Sequence, residues 1–174
     1  MGQSKNSTGR PGEAAPEEQL KHIFTAKGLM LATAESCTGG LLASRITDVS
    51  GSSAYFLGGV VSYAYSAKEA LLGIDHELLL AEGAVNEPVA RQMARSVRDK
   101  LSADVAVSIT GIAGPDGGTP EKPVGLVWIG LADAQGDRAE QYQWKSDRIG
   151  NKQQSVDKAL QLLIAWGEAA SPRA

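Results

Sequence analysis

Cysteine occurs once in the chain, at Cys37, so no disulfide can form within it and a reducing compartment is expected. Histidine occurs twice. His22 falls on the polar side of a helical pattern and His76 sits beside Asp75 at a helix start, both ordinary surface positions. Histidine-based acid–base chemistry is therefore poorly supplied, and no His/Cys cluster or carboxylate grouping has metal-ligand spacing. A basic excess is missing too: 17 Lys and Arg face 20 Asp and Glu, giving a net charge of −3 and a pI near 5.4. That balance argues against a nucleic-acid partner, and the one basic stripe, Arg91, Arg95 and Arg98, reads as a solvated helix face. No apolar run approaches the roughly 18 residues that span a bilayer, so no membrane partner is expected. The N-terminus lacks the apolar core of a signal peptide, and Asn6 stands where a myristoylation signal wants Ser or Thr. The expected location is the cytoplasm.

What is present is an ordinary globule, 43% hydrophobic and 21% charged over 174 residues, enough for one core. Residues 1–15, rich in Gly, Ser, Pro and polar side chains, read as a disordered tail, and residues 16–170 as a single domain. Pro16 suits a first helical turn, Leu20, Ile23 and Phe24 form an apolar stripe, and Gly28 suits a C-terminal cap. A short strand over Leu29–Ala34 follows, then a helix from Leu41 and a strand over Phe56–Tyr65. Short helical patterns occupy Ala67–Leu72 and Glu77–Ala81, and a longer helix starts at Asn86, an N-cap, with Pro88 in its first turn. Val105–Ile109, Val124–Leu131 and Gln141–Trp144 read as strands, the last two joined as a hairpin through Gly136-Asp137. A final helix spans about Asp147–Trp166. Alternating strands and helices, with adjacent strands near the end, predict an α/β layered domain with a mostly parallel sheet and one antiparallel member.

In open α/β sheets ligands bind at the carboxyl ends of strands, and two loops there have unusual composition. The first runs from Ser36 to Gly40; the second is the glycine-rich segment after Thr110. Ser36 lies at a strand-to-helix turn where the free N–H groups of Thr38, Gly39 and Gly40 can hold an oxyanion or a phosphate, although Ser36 or Thr38 can equally serve as a plain helix cap. With histidine scarce, the base for a serine nucleophile must be a lysine or tyrosine, as in serine–lysine hydrolases. Tyr63 and Lys68 fall on the same rim, where a buried lysine can have its pKa lowered; the bland alternative is an aromatic core residue and a solvated lysine. Their spacing, and the lack of a G-x-G-x-x-G fingerprint after the first strand, make a short-chain dehydrogenase a poor reading. Cys37 is the rival nucleophile, but neighbours at a strand end face opposite ways, so only one of Ser36 and Cys37 meets the ligand.

These segments resemble the CinA C-terminal family. The carrying residues are Ala34-Glu35-Ser36-Cys37-Thr38-Gly39-Gly40, then Gly59-Val60-Val61-Ser62-Tyr63 with Lys68, and Gly83-Ala84-Val85-Asn86-Glu87-Pro88-Val89. They continue through Ser108-Ile109-Thr110-Gly111-Ile112-Ala113-Gly114-Pro115-Asp116-Gly117-Gly118 and Lys122-Pro123-Val124-Gly125. The match runs from about Pro16 to Trp166. The resemblance implies a three-layer α/β/α sandwich, no metal or cofactor, and a homodimer. It further implies hydrolysis of nicotinamide mononucleotide to nicotinate mononucleotide and ammonia, a step of pyridine nucleotide recycling.

By the same resemblance Ser36 matches the family's nucleophile, Tyr63 and Lys68 its tyrosine and lysine, Thr110 and Gly111 its pocket wall, and Arg148 an arginine near the last helix. Ser146 departs from the glycine that precedes the Asp-Arg pair in many relatives. The form resembled is the stand-alone one, without the N-terminal molybdopterin-binding-like domain of many relatives. The expected mechanism is acyl transfer from a mononucleotide, with Lys68 taking the Ser36 proton directly or through Tyr63. The oxyanion would rest on amides near Thr38–Gly40 or Thr110–Gly111, and the phosphate on Arg148, a backbone nest or a helix N-terminus. Two other readings are an amidase for a different small amide and a non-catalytic, competence-linked binding module; the presence of both Tyr63 and Lys68 beside Ser36 favours an enzyme.

Overall fold

Strand β1 (Leu31–Glu35) is buried along its whole length because both of its faces are covered. Leu31 enters one apolar cluster while Ala32 and Ala34 enter another on the opposite face, as the two-residue period of a strand requires. The computed structural model describes residues 14–173. The expected disordered tail over 1–15 lies outside them, apart from Ala14 and Ala15, which are exposed and lead into the first helix.

Around β1 the sheet is ordered β2-β1-β3-β4-β5, where β2 is Phe56–Val61, β3 Val105–Gly111, β4 Leu126–Asp133 and β5 Gly136–Gln143. β1 pairs in parallel with β2 and β3, and β4 pairs antiparallel with β3 and β5, so β4 alone runs against the other four. Helices α1 (Pro16–Lys27), α2 (Leu41–Thr47) and α6 (Arg148–Ala169) send Leu20, Phe24, Leu42, Ile46, Val156 and Leu160 into the cluster on one face. On the other face α3 (Tyr65–Leu72), α4 (His76–Glu82) and α5 (Glu87–Leu101) bury Leu72, Leu79, Val89, Met93 and Val97. This is the expected three-layer α/β/α sandwich with a mostly parallel sheet.

Small residues set the spacing of the second face. A Cβ on Gly130 would stand 2.4 Å from the Ala90 carbonyl oxygen, so α5 lies almost on the backbone of β4 there. Ser108 on β3 donates to that same carbonyl at 2.6 Å. The caps follow the sequence: Gly28 ends α1 in the left-handed region at φ 64°, and Asn86 accepts the Val89 N–H at 2.8 Å. Arg91 and Arg95 hold Asp137 of β5, and Arg98 bonds Asp99 and the Asp104 carbonyl. The basic stripe is therefore neutralised within the fold, more so than a simply solvated face.

One local expectation is corrected. The β4–β5 hairpin turns at Ala134-Gln135, because Asp133 already pairs with Gly136 and Asp137 with Ala132. The Asp133 carboxylate accepts the Gln135 N–H at 2.8 Å and supplies the turn chemistry. β5 begins five residues before the expected strand, since its first half is a polar edge without apolar alternation.

Candidate active site

Ser36 follows β1 directly and extends its ladder by one bond, its N–H donating to the Ile109 carbonyl at 2.9 Å. The chain then reverses through Gly39 and Gly40, at φ 65° and 94°, a region glycine enters without strain. The amides of this turn are not open as expected. Gly39 N–H donates to the Ser36 carbonyl at 3.1 Å, and the Glu35 carboxylate accepts from Gly40 and Leu42 at 3.1 Å and from Ala43 at 2.9 Å. Glu35 is 1% exposed, and its charge is balanced by three N–H groups at the positive end of α2. The Gly39 and Gly40 amides are thus displaced from the role of anion cradle, and none of Thr38, Gly39 and Gly40 lines the cavity described below. Among the described residues, no backbone carbonyl engages the Thr38 amide.

Lys68, in the first turn of α3, is fully buried. Its Nζ donates to Ser36 Oγ at 2.8 Å and to the Ser62 carbonyl at 2.6 Å. No carboxylate lies within 4.0 Å of it among the described residues. Desolvation therefore acts nearly unopposed and lowers its pKa from 10.5 to about 8. Lys68 is not the solvated lysine of the bland alternative. Burial acts on Cys37 in the opposite sense, raising its thiol to about 11 and leaving it protonated at neutral pH.

Tyr63 is 60% exposed, so it is no core aromatic. Its hydroxyl accepts from Arg148 Nη2 at 2.9 Å and makes no bond to Ser36 or Lys68. A relay from Ser36 through Tyr63 to Lys68 is therefore replaced by direct contact. Arg148, the first residue of α6, also donates from Nη1 to the Gly114 carbonyl at 2.7 Å and ties the glycine-rich loop to the rim. Thr110 is buried and donates to the Ala84 carbonyl at 2.7 Å. At Gly111 a Cβ would meet the Leu126 carbonyl oxygen at 2.7 Å and Val127 Cα at 2.9 Å, so β4 can close only on a glycine.

Ser36, Lys68, Tyr63, Thr110, Gly111 and Arg148 share one cavity of about 270 Å³, with Asp116 also on its wall. Cys37 lines it beside Ser36, against the expectation that only one of the two would meet a ligand, because the chain turns at once after β1 and strand alternation no longer applies. A larger cavity of about 360 Å³ lies between the β4–β5 hairpin and α6, but it brings no nucleophile to a base. Among the described residues no three His, Cys, Asp or Glu side chains converge as a metal site would require, and no helix is long and apolar enough to cross a membrane. The sequence reading missed two partners of the site. Glu35 stood within the motif without a role, although a carboxylate at a strand end just before a helix start is a capping signal. The Ser62 carbonyl, which anchors Lys68, leaves no trace in residue type.

Comparison with known proteins bears on the same residues. A family model described as the CinA C-terminal domain matches residues 13–166. A CinA-like protein of Salinibacter ruber is 50% identical over 150 residues, which are 86% of this chain and 36% of that protein. A CinA-like protein of Chlorobium limicola is 49% identical over 160 residues, 89% of this chain and 37% of that one. The chain thus spans little more than a third of the length of these curated relatives. Among solved structures, the competence/damage inducible protein CihA of Agrobacterium tumefaciens superposes with a TM-score of 0.82 at 41% identity, covering 91% of this chain and 98% of that one. A CinA superfamily protein of Klebsiella pneumoniae gives 0.84 at 29% identity, covering 90% and 100%.

Proposed function

The chain belongs to the CinA C-terminal domain family, and from that premise we propose that it is an amidohydrolase converting nicotinamide mononucleotide to nicotinate mononucleotide and ammonia. The observation that carries the reading is a buried Lys68 Nζ 2.8 Å from Ser36 Oγ, on the wall of a cavity with Arg148 at its rim. A lysine titrating near 8 is about one-tenth neutral at pH 7, enough to act as a base for a serine that needs one.

Neutral Lys68 takes the Ser36 proton as Oγ attacks the carboxamide carbon. The tetrahedral oxyanion is held by the backbone that follows Ser36, where Cys37 lines the cavity. The resulting ammonium then protonates the departing nitrogen, ammonia leaves, and Ser36 is left as an ester. Water attacks that ester with Lys68 again as base, and the proton finally returns to Oγ. Exposed Tyr63 and Tyr65 offer ring faces to the pyridinium cation, while Arg148 faces the phosphate. The reading places the enzyme in the cytoplasm as a homodimer without a cofactor.

The test is ammonia release from nicotinamide mononucleotide, nicotinamide riboside and nicotinamide, by wild type and by Ser36→Ala. The expected result is release fastest from the mononucleotide and lost in the variant. Release from another small amide alone assigns the same machinery to a different substrate. No release from any amide removes the enzyme reading.

A further inference from the structure

The glycine-rich loop after β3 carries the one carboxylate found on the wall of the Ser36 cavity among the described residues, that of Asp116. The backbone on either side of Asp116 is pinned. A Cβ on Gly114 would stand 2.4 Å from Val124 Cγ1, and one on Gly118 would stand 2.8 Å from the Val124 amide nitrogen, so the loop packs hard against the chain that leads into β4. Arg148 Nη1 fastens the Gly114 carbonyl at 2.7 Å. Asp116 therefore meets the cavity from a fixed backbone.

That carboxylate has no work inside the fold. Among the described residues no Lys, Arg or His lies within 4.0 Å of it. Arg148 shares the wall, yet its guanidinium is turned to Gly114 and Tyr63. Every other aspartate among the described residues except Asp48 has its carboxylate taken by an N–H group or a guanidinium. Asp48 ends α2 and is not on the cavity wall. Tyr63 and Tyr65 line the same cavity. An unneutralised carboxylate together with two aromatic rings suits a flat cation, which is drawn to both by its charge.

We propose that Asp116 makes the site discriminate the redox state of the ring that bears the amide, favouring the oxidised, cationic pyridinium over the neutral dihydropyridine. The identity of the ring rests on the amidase reading above; the preference itself is measured without turnover. Nicotinamide mononucleotide and its 1,4-dihydro form are titrated calorimetrically into Ser36→Ala, alone and combined with Asp116→Asn or Asp116→Glu, with thermal unfolding checked for each. The two ligands share phosphate, ribose and amide, so a change in their affinity ratio reports the ring. Affinity for the cationic form is expected to fall about fivefold in Asp116→Asn, the size of one partly exposed ion pair, while the dihydro form binds as before. Asp116→Glu should keep the preference, and added salt should erode it. An unchanged ratio in folded Asp116→Asn overturns the proposal. Equal weakening of both forms, the mark of a merely structural role, overturns it too, as does absence of binding. Ammonia release by wild type together with an unchanged ratio keeps the amidase and sinks the ring preference. A ratio that collapses in Asp116→Asn, in a chain that releases no ammonia, does the reverse.

Discussion

Burying an ammonium without a carboxylate beside it is strongly unfavourable, and Lys68 is buried in that way. On the proposed function, what the protein gains is a base. With Lys68 pushed to about 8 by desolvation, kcat/KM should rise with pH along a limb centred near that value, because only the deprotonated amine accepts the Ser36 proton. A pH–rate profile checks this: Lys68→Met should lose the limb and most of the rate, and Lys68→Arg should not restore it, since guanidinium stays protonated. Folded Lys68→Met with near wild-type kcat/KM would remove Lys68 from the mechanism. Ser36→Ala should lower kcat by on the order of 10⁴-fold or more. Cys37→Ala should keep most of the rate, because a thiol raised to about 11 is protonated at neutral pH; the reverse ranking would make the enzyme a cysteine hydrolase. The sequence made Ser36 and Lys68 candidates through residue type and position. It left open whether Lys68 was solvated, and whether the proton passes to Lys68 directly or through Tyr63, whose hydroxyl is bonded to Arg148 instead.

At the scale of single elements, the short helix α2 depends on a residue outside it. Glu35 fills the site where a bound anion had been expected, accepting three N–H groups from Gly40, Leu42 and Ala43. Glu35→Gln keeps the shape but removes the charge that faces the helix dipole, and should destabilise the fold by about 2 kcal/mol. Urea unfolding at pH 7 measures it, and a change under about 0.5 kcal/mol would show that the carboxylate is not the cap. Helix boundaries with side-chain or glycine caps, such as Gly28 and Asn86, were readable because the cap lies within a few residues of the helix. The hairpin turn was not. Its signal is Asp133 reaching Gln135, whereas Gly136-Asp137 offers a stronger turn dipeptide that the strand pairing absorbs. The layer order was legible from alternation, but the closeness of α5 to β4 at Gly130 exists only between segments 40 residues apart.

Across the whole molecule, Lys68 also sets how stability follows pH. Its folded pKa, near 8, lies below the unfolded value of 10.5, so between those pH values the unfolded chain holds a proton that the folded one has lost. The penalty of burial is full below pH 8 and is relieved as pH rises to 10.5, an increase from this group of about 3 kcal/mol at most. Lys68→Met should therefore be more stable than wild type at pH 7, with the difference shrinking above pH 8. Paired melting curves from pH 6 to pH 10 test it, and a gap that widens with pH would contradict the assignment. The consequence reaches beyond one chain. A lineage released from selection for catalysis would drift toward an apolar residue at position 68, because each such replacement makes the domain more robust. If Lys68 is the base, a lineage in which the lysine persists has kept a less stable protein, and that persistence marks continued chemistry.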